Sequence, residues 1–125
     1  MAVKGIGIDL VEIDQFRKKL SEDLIREVFL PDEIEYCRSQ VRYWENFAGR
    51  FAAKEAVFKA LGLGLSSGLR FRDIEVIRCP MKGSISVKLH GVALKAAGEM
   101  GITGLSVSIS HTRRAAIALA VAETA

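Results

Sequence analysis

The chain contains little of what builds a disulfide scaffold, a metal cluster or a membrane anchor. Its two cysteines, Cys37 and Cys79, are far apart and belong to no C-x-x-C or Cys/His cluster, so the spacing indicates neither a zinc site nor a disulfide framework. We expect both to be reduced core thiols. No apolar run approaches the ~20 residues that span a bilayer, and the residues before Asp9 do not form a signal peptide. These absences predict a cytoplasmic protein that does not bind membranes.

Length and charge limit the architecture and the partners. With 125 residues, half of them hydrophobic, the chain is long enough for one domain covering residues 1–125 and too short for two. On so small a chain, we expect an extended active site to draw on a neighbouring subunit. The net charge of +3 favours an acidic partner, whether nucleic acid, a phosphate-rich cofactor or an acidic protein. The basic residues are scattered without interleaved aromatics, which does not favour nucleic acid.

The hydrophobic pattern predicts an α+β domain. Alternation at Ile6, Ile8 and Leu10 indicates a short strand with Asp9 near its end. Apolar residues at helical spacing predict one helix over about 12–26, and Pro31 marks the start of another. The remaining predictions are a long helix at 44–61, strands near 74–77, 85–89, 105–110 and 116–122, and a short helix at 92–100.

The long helix has two contrasting faces. One is a stripe of small residues that allows close packing against a sheet or another helix, formed by Gly49, Ala52, Ala53, Ala56 and Ala60. The other arc mixes charge with aromatics, which is unusual for a plain solvent-exposed face; its members are Arg50, Lys54, Phe58, Phe51, Glu55 and Lys59.

Two carboxylates on different elements are the first candidates for chemistry. Asp9 could instead cap a helix or form a salt bridge, and Glu55 could pair with Lys59 at i,i+4. Together, with Lys54 and Lys59 nearby, they are compatible with a hard divalent cation that holds phosphate oxygens.

Two further motifs have ordinary structural interpretations. The loop containing Gly62, Gly64 and Gly68, with Ser66 and Ser67 between them, follows a helix and is not a Walker loop, so it could be only a helix cap and turn. Ser110 and His111 are adjacent, and neighbouring strand residues point to opposite faces, which argues against a serine hydrolase.

Three segments in order resemble the signature of the holo-(acyl carrier protein) synthases, in the 4′-phosphopantetheinyl transferase superfamily. They are GIGIDLVEI at 5–13, AGRFAAKEAVFKALG at 48–62 and SVSISHT at 106–112. The segments at 29–37 and 71–76 are also similar to the family, so the resemblance spans nearly the whole chain. It implies a long central helix packed on a small, mostly antiparallel sheet, in one domain that assembles as a trimer with coenzyme A bound between subunits.

The resemblance also implies an activity and its residues. Phosphopantetheine would pass from coenzyme A to a serine of apo acyl carrier protein, with release of 3′,5′-adenosine diphosphate, in support of fatty acid biosynthesis. Asp9 and Glu55 match the family's Mg²⁺ ligands and, with Lys59, its catalytic positions. The segments that line the nucleotide cleft match Arg50, Phe51, Lys54, Lys59, Gly62, Gly64, His111 and Thr112. The base that takes the serine proton stays open between Glu55, Asp9 acting through water, and a free water.

The first helix is expected to dock the acidic carrier. Gln15 stands where many family members have arginine, so Arg17, Lys18 or Lys19 are the expected source of the docking charge. A carrier of polyketide synthesis could replace the fatty-acid one, and the use of Mn²⁺ or acylated coenzyme A is undecided. A coenzyme A-binding module without catalysis and a basic nucleic-acid-binding domain are the alternatives from other classes.

Overall fold

A computed structural model describes residues 1–64 and 68–125 of the protein. Ser66 and Ser67 of the predicted glycine-rich loop lie outside the described residues. The elements in chain order are β1 (Ala2–Glu12), α1 (Ile13–Lys19), α2 (Glu22–Val28), α3 (Pro31–Arg38), α4 (Tyr43–Ala60), a 3₁₀ turn (Phe71–Asp73), β2 (Ile74–Arg78), β3 (Ile85–Leu89), α5 (Gly91–Glu99), β4 (Ile102–His111) and β5 (Ala115–Thr124). Among the described residues, no helix is both long and apolar enough to cross a bilayer.

The long helix α4 packs on an antiparallel sheet of order β1-β5-β4, and β2 and β3 form a separate antiparallel pair. The contact between α4 and β1 is very close: a Cβ at Gly5 or Gly7 would overlap the backbone carbonyl of Ala60 or Ala56. The small-residue stripe of α4 is therefore buried against the sheet, as predicted. β5 matches it with the buried alanines at 116, 118, 120 and 122.

The outer face of this sheet is apolar and exposed. Because the alanines of β5 point toward α4, the larger side chains of the same strand point outward. Register places them beside the outward residues of β1, giving an aliphatic surface formed by Ile6, Ile8, Leu10, Ile117 and Leu119. We call this set the outer sheet face.

Most of the predicted elements are confirmed, with one error near the N-terminus. The helix predicted over 12–26 is two helices, because the chain breaks at Leu20 and Ser21. The Ser21 hydroxyl accepts a hydrogen bond from the Leu24 N–H at 3.1 Å and starts α2 as its N-cap. Cys37 is buried, as expected, whereas Cys79 is only partly buried, in the turn after β2.

Candidate active site on two faces of the central helix

Asp9, Glu55 and Lys59 meet where β1 passes the last turns of α4. The Lys59 ammonium donates to the Asp9 carboxylate at 3.1 Å and to the Ile8 carbonyl at 3.0 Å. Asp9 reaches α4 because Gly7, two residues earlier on the same strand face, lets the backbones approach closely. Asp9 and Glu55 line one pocket of about 530 Å³, which we call the carboxylate pocket.

The two carboxylates influence each other. The pKa of Glu55 is raised, first by burial and then by the negative charge of Asp9, while Lys59 opposes the rise. The sequence left open whether Asp9 caps a helix or forms a salt bridge. The structure shows a salt bridge, and its partner is Lys59. Within residues 1–64 and 68–125, Lys59 pairs with Asp9 and not with Glu55.

The donor set of the carboxylate pocket fits Mg²⁺. Such an ion commonly takes one or two protein carboxylates and fills its remaining positions with substrate phosphates and water. Asp9 and Glu55 supply the carboxylates. The pKa of Glu55 is raised first by burial and second by the charge of Asp9, and a bound cation would favour the ionised form of Glu55 against both effects. Among the described residues, no cluster of three His, Cys, Asp or Glu side chains forms an all-protein metal cage.

Aromatic and α1 side chains form the wall of the carboxylate pocket. The Phe51 ring lies 5.4 Å from that of Phe16 and 5.2 Å from that of Phe71, so α1 and the 3₁₀ turn both hold it. Gln15 and Lys19 of α1 also line the pocket. The sequence interpretation named Lys19 only as a source of docking charge and Gln15 only as a departure from the family's arginine, whereas the structure places both at the carboxylate pocket.

A second pocket, of about 160 Å³, lies on another face of α4. Two arginine side chains, Arg50 and Arg78, line it, and we call it the arginine pocket. Arg50 is 6% exposed, and its guanidinium stacks on Tyr36 at 4.5 Å. Arg78 lies over the same ring at 5.3 Å, and the His111 Nδ1 lies 3.6 Å from a carboxylate oxygen of Glu45. Among the described residues, the buried Nε of Arg50 has no hydrogen-bond partner, which suits a pocket that receives an anionic or polar ligand.

Sequence reasoning missed four polar residues of the arginine pocket. Glu45 and Asn46 lie one helical turn before Gly49 and Arg50, so extending the α4 wheel would have found them. Tyr36 and Arg78 come from α3 and β2, and no local pattern connects them to the site.

Within residues 1–64 and 68–125, no residue lines both pockets. At about 100° per residue, positions 45, 46, 49 and 50 point away from positions 51 and 55, around opposite sides of the α4 axis. The chain therefore presents two separate pockets, which do not face each other.

The structure corrects the assignment of Lys54 to the nucleotide cleft. Its side chain is fully buried, and the ammonium donates to Glu33 at 2.9 Å and to the carbonyls of Ile74 at 2.6 Å and Phe71 at 3.1 Å. Glu33 in turn accepts from the N–H of Val76 at 2.8 Å. Burial lowers the pKa of Lys54, and Glu33 opposes this. The predicted mixed arc of α4 is thus partly interior, because Arg50 and Phe58 are buried as well as Lys54.

The remaining cleft candidates lie in turns. Gly62 has a φ of +68° and ends α4, donating its N–H to the Lys59 carbonyl at 3.0 Å; Gly64 follows on the surface. The Thr112 hydroxyl accepts from the N–H groups of Arg114 and Ala115 at 3.1 and 3.2 Å, which fixes the predicted β4–β5 turn. Thr112 therefore positions its neighbour His111 beside the arginine pocket.

Comparison with known proteins defines the class. The sequence model described as "4′-phosphopantetheinyl transferase superfamily" matches residues 5–120, and the chain belongs to that superfamily. Among curated relatives, the holo-[acyl-carrier-protein] synthase of Geobacter sulfurreducens is 43% identical over 122 residues, covering 95% of this chain and 96% of the relative. That of Syntrophus aciditrophicus is 42% identical over 124 residues, covering 97% and 96%.

Solved structures agree with the sequence relatives. The holo-[acyl-carrier-protein] synthase of Helicobacter pylori in complex with coenzyme A has a TM-score of 0.81 and 33% identity, and the match covers 94% of this chain and 99% of that chain. The Neisseria meningitidis enzyme gives a TM-score of 0.86 with 31% identity, covering 98% and 100%. The predicted fold, a long central helix on a small antiparallel sheet, is confirmed.

Proposed function

We propose that this protein is a holo-[acyl-carrier-protein] synthase, which transfers 4′-phosphopantetheine from coenzyme A to a serine of apo acyl carrier protein in support of fatty acid biosynthesis. The observation that carries the proposal is that Asp9 and Glu55 line one pocket, with Lys59 bonded to Asp9, in a chain that belongs to this superfamily. Phosphoryl transfer requires mainly alignment and charge neutralisation, and this trio offers both.

Asp9 and Glu55 would hold Mg²⁺, which when bound would neutralise charge on the pyrophosphate of coenzyme A. Lys59 is half-exposed beside Asp9 and offers a second positive charge to the phosphates. Arg50, Arg78 and His111 provide further hydrogen-bond donors for the nucleotide part of the same substrate in the arginine pocket.

The reaction exchanges one P–O bond for another. The oxygen of the carrier serine forms a bond to the β-phosphorus of coenzyme A, and the bond from that phosphorus to the bridging oxygen breaks. 3′,5′-Adenosine diphosphate leaves with the bonding electron pair. The serine proton passes to a base, for which Glu55, Asp9 acting through water, and a free water are candidates.

The proposal includes a homotrimer with active sites between subunits. A single coenzyme A can contact both the carboxylate pocket and the arginine pocket only if these come from two subunits, since they lie on opposite sides of α4. The outer sheet face offers an exposed aliphatic surface for that contact, with Ile6 and Leu10 each 63% exposed.

The carrier would dock at the basic end of α1, which carries Arg17, Lys18 and Lys19. We place the reaction in the cytoplasm, where thiols such as Cys37 stay reduced.

Intact-mass analysis of an apo acyl carrier protein, incubated with the enzyme, coenzyme A and Mg²⁺, tests the proposal. We expect the carrier to gain one phosphopantetheine, and we expect Asp9→Ala, Glu55→Ala and a chelator each to abolish or greatly reduce the gain. If several unrelated apo carriers gain nothing while coenzyme A still binds, the protein is a non-catalytic coenzyme A-binding module instead.

A further inference from the structure

One cation of α1 is held in place by an aromatic ring. The Arg17 guanidinium carbon lies 3.6 Å from the centroid of the Trp44 ring, and the Tyr43 ring supports Trp44 in an edge-to-face contact at 5.1 Å. Trp44 is the only tryptophan of the chain. Arg17 itself is exposed, and within residues 1–64 and 68–125 no Asp or Glu forms an ion pair with it. The guanidinium is therefore oriented by the chain without being neutralised by it.

The three basic residues of α1 do not form one patch. At about 100° per residue, Arg17 and Lys19 lie on opposite flanks of the helix, and Lys18 points outward between them. Lys19 lines the carboxylate pocket, whereas Arg17 turns toward the start of α4, where Trp44 lies. Each residue thus has a different environment, and among the described contacts an aromatic ring holds Arg17 and neither of the two lysines.

The helix that carries these residues needs tertiary contacts to keep its orientation. α1 has seven residues, which is too short to be stable alone, and no side-chain hydrogen bond caps its start in the part of the chain that the structure describes. Its buried side chains are Ile13 and Phe16. The stack of Arg17 on Trp44 adds a contact at the last turn, on the flank away from the carboxylate pocket.

We propose that Trp44 is a positioning residue for recognition of the acidic carrier, because it holds Arg17 in the orientation in which the carrier's carboxylates bind it. This inference rests on the proposed function. Stacking uses the flat face of a guanidinium and leaves its in-plane N–H groups open, which are the groups that bind a carboxylate in a bidentate fashion. Fixing a long side chain before binding removes part of the entropy cost of ordering it in the complex.

Steady-state kinetics with an apo acyl carrier protein test the role of Trp44. We expect Trp44→Leu to raise the KM for the carrier roughly three- to tenfold, with kcat and the KM for coenzyme A within about twofold of wild type. Trp44→Phe, which restores a ring under the guanidinium, should recover most of the loss. Arg17→Lys keeps the charge without the flat stack and should resemble Trp44→Leu. Val41→Ala, at a nearby residue that is 92% exposed, is the matched control and should behave as wild type.

Because the chain has one tryptophan, its fluorescence reports on this contact directly. Titration with the carrier should change Trp44 emission in the wild type and not in Arg17→Met. A Trp44→Leu enzyme that transfers phosphopantetheine with an unchanged carrier KM would overturn the inference and leave the proposed function standing. A Trp44→Leu effect of equal size on the KM for both substrates would also overturn it, because that indicates general structural damage. Absence of transfer by the wild type would refute the proposed function itself.

Discussion

Mixing two inactive variants tests whether each active site is shared between subunits. Glu55→Gln damages the carboxylate pocket, and His111→Ala damages the arginine pocket, which lies on the opposite side of α4. After equal amounts are unfolded, mixed and refolded together, half of the interfaces receive an intact Glu55. Half of those also receive an intact His111 from the neighbouring subunit, so about one quarter of the sites should be complete.

The assay is the initial rate of phosphopantetheine transfer at a coenzyme A concentration below KM, where loss of a proposed binding residue such as His111 is fully visible. We expect the mixture to recover about one quarter of the wild-type rate, while each variant refolded alone stays near background. Glu55→Gln mixed with the Glu55→Gln/His111→Ala double variant is the control and should recover nothing, because no interface has an intact Glu55. If the first mixture is no more active than its parts, while refolded wild type is active, the shared site is refuted.

Three further predictions concern the core and the outer sheet face. Lys54→Met should lower the free energy of unfolding in urea by about 3–5 kcal/mol, because it leaves the buried Glu33 carboxylate without its ion-pair partner. A variant with wild-type stability and no activity would instead indicate that Lys54 acts in the nucleotide cleft. Burial raises the pKa of Cys37 to about 12 from its ordinary 9.0, so only the unfolded chain loses this proton between those pH values. The unfolding free energy should therefore fall by about 1.4 kcal/mol per pH unit in that window, and Cys37→Ala should remove this slope; an identical slope in both proteins would refute the assignment. Ile8→Asp should dissociate the oligomer in light scattering whereas Val41→Asp, off the sheet, should not, and an intact Ile8→Asp oligomer would exclude this face as the interface.

The sequence was a good guide wherever a single local pattern decided the outcome. The period of the small residues predicted that α4 packs closely, and the positions of Gly5 and Gly7 on β1 explain why. Family resemblance indicated Asp9, Glu55 and Lys59, which the fold brings together. The helix break at Ser21 was missed because the apolar residues kept helical spacing across it.

The sequence did not predict the burial or the partner of a side chain when several elements could pack against it. Lys54 and Lys59 both belong to the arc of α4 that mixes charged and aromatic residues. In the structure, Lys54 is buried with Glu33, whereas Lys59 is half-exposed beside Asp9. Which outcome applies depends on what packs against each side of α4. Tyr36 likewise lies in the arginine pocket only because α3 packs against α4, and this tertiary contact cannot be read from a local pattern.

By itself, the sequence determined the class of elements, their order, the face of α4 that packs closely, and the residue types available for phosphate and metal chemistry. Periodicity and the positions of glycines are local properties, so they can be recognised without a three-dimensional structure. Only the tertiary structure decided that the alanines of β5 face inward, that Ile8 and Leu119 face outward, and that the carboxylate pocket and the arginine pocket lie on two sides of one helix. Those outcomes depend on which surfaces pack together, and packing is a property of contacts between segments that are distant along the chain.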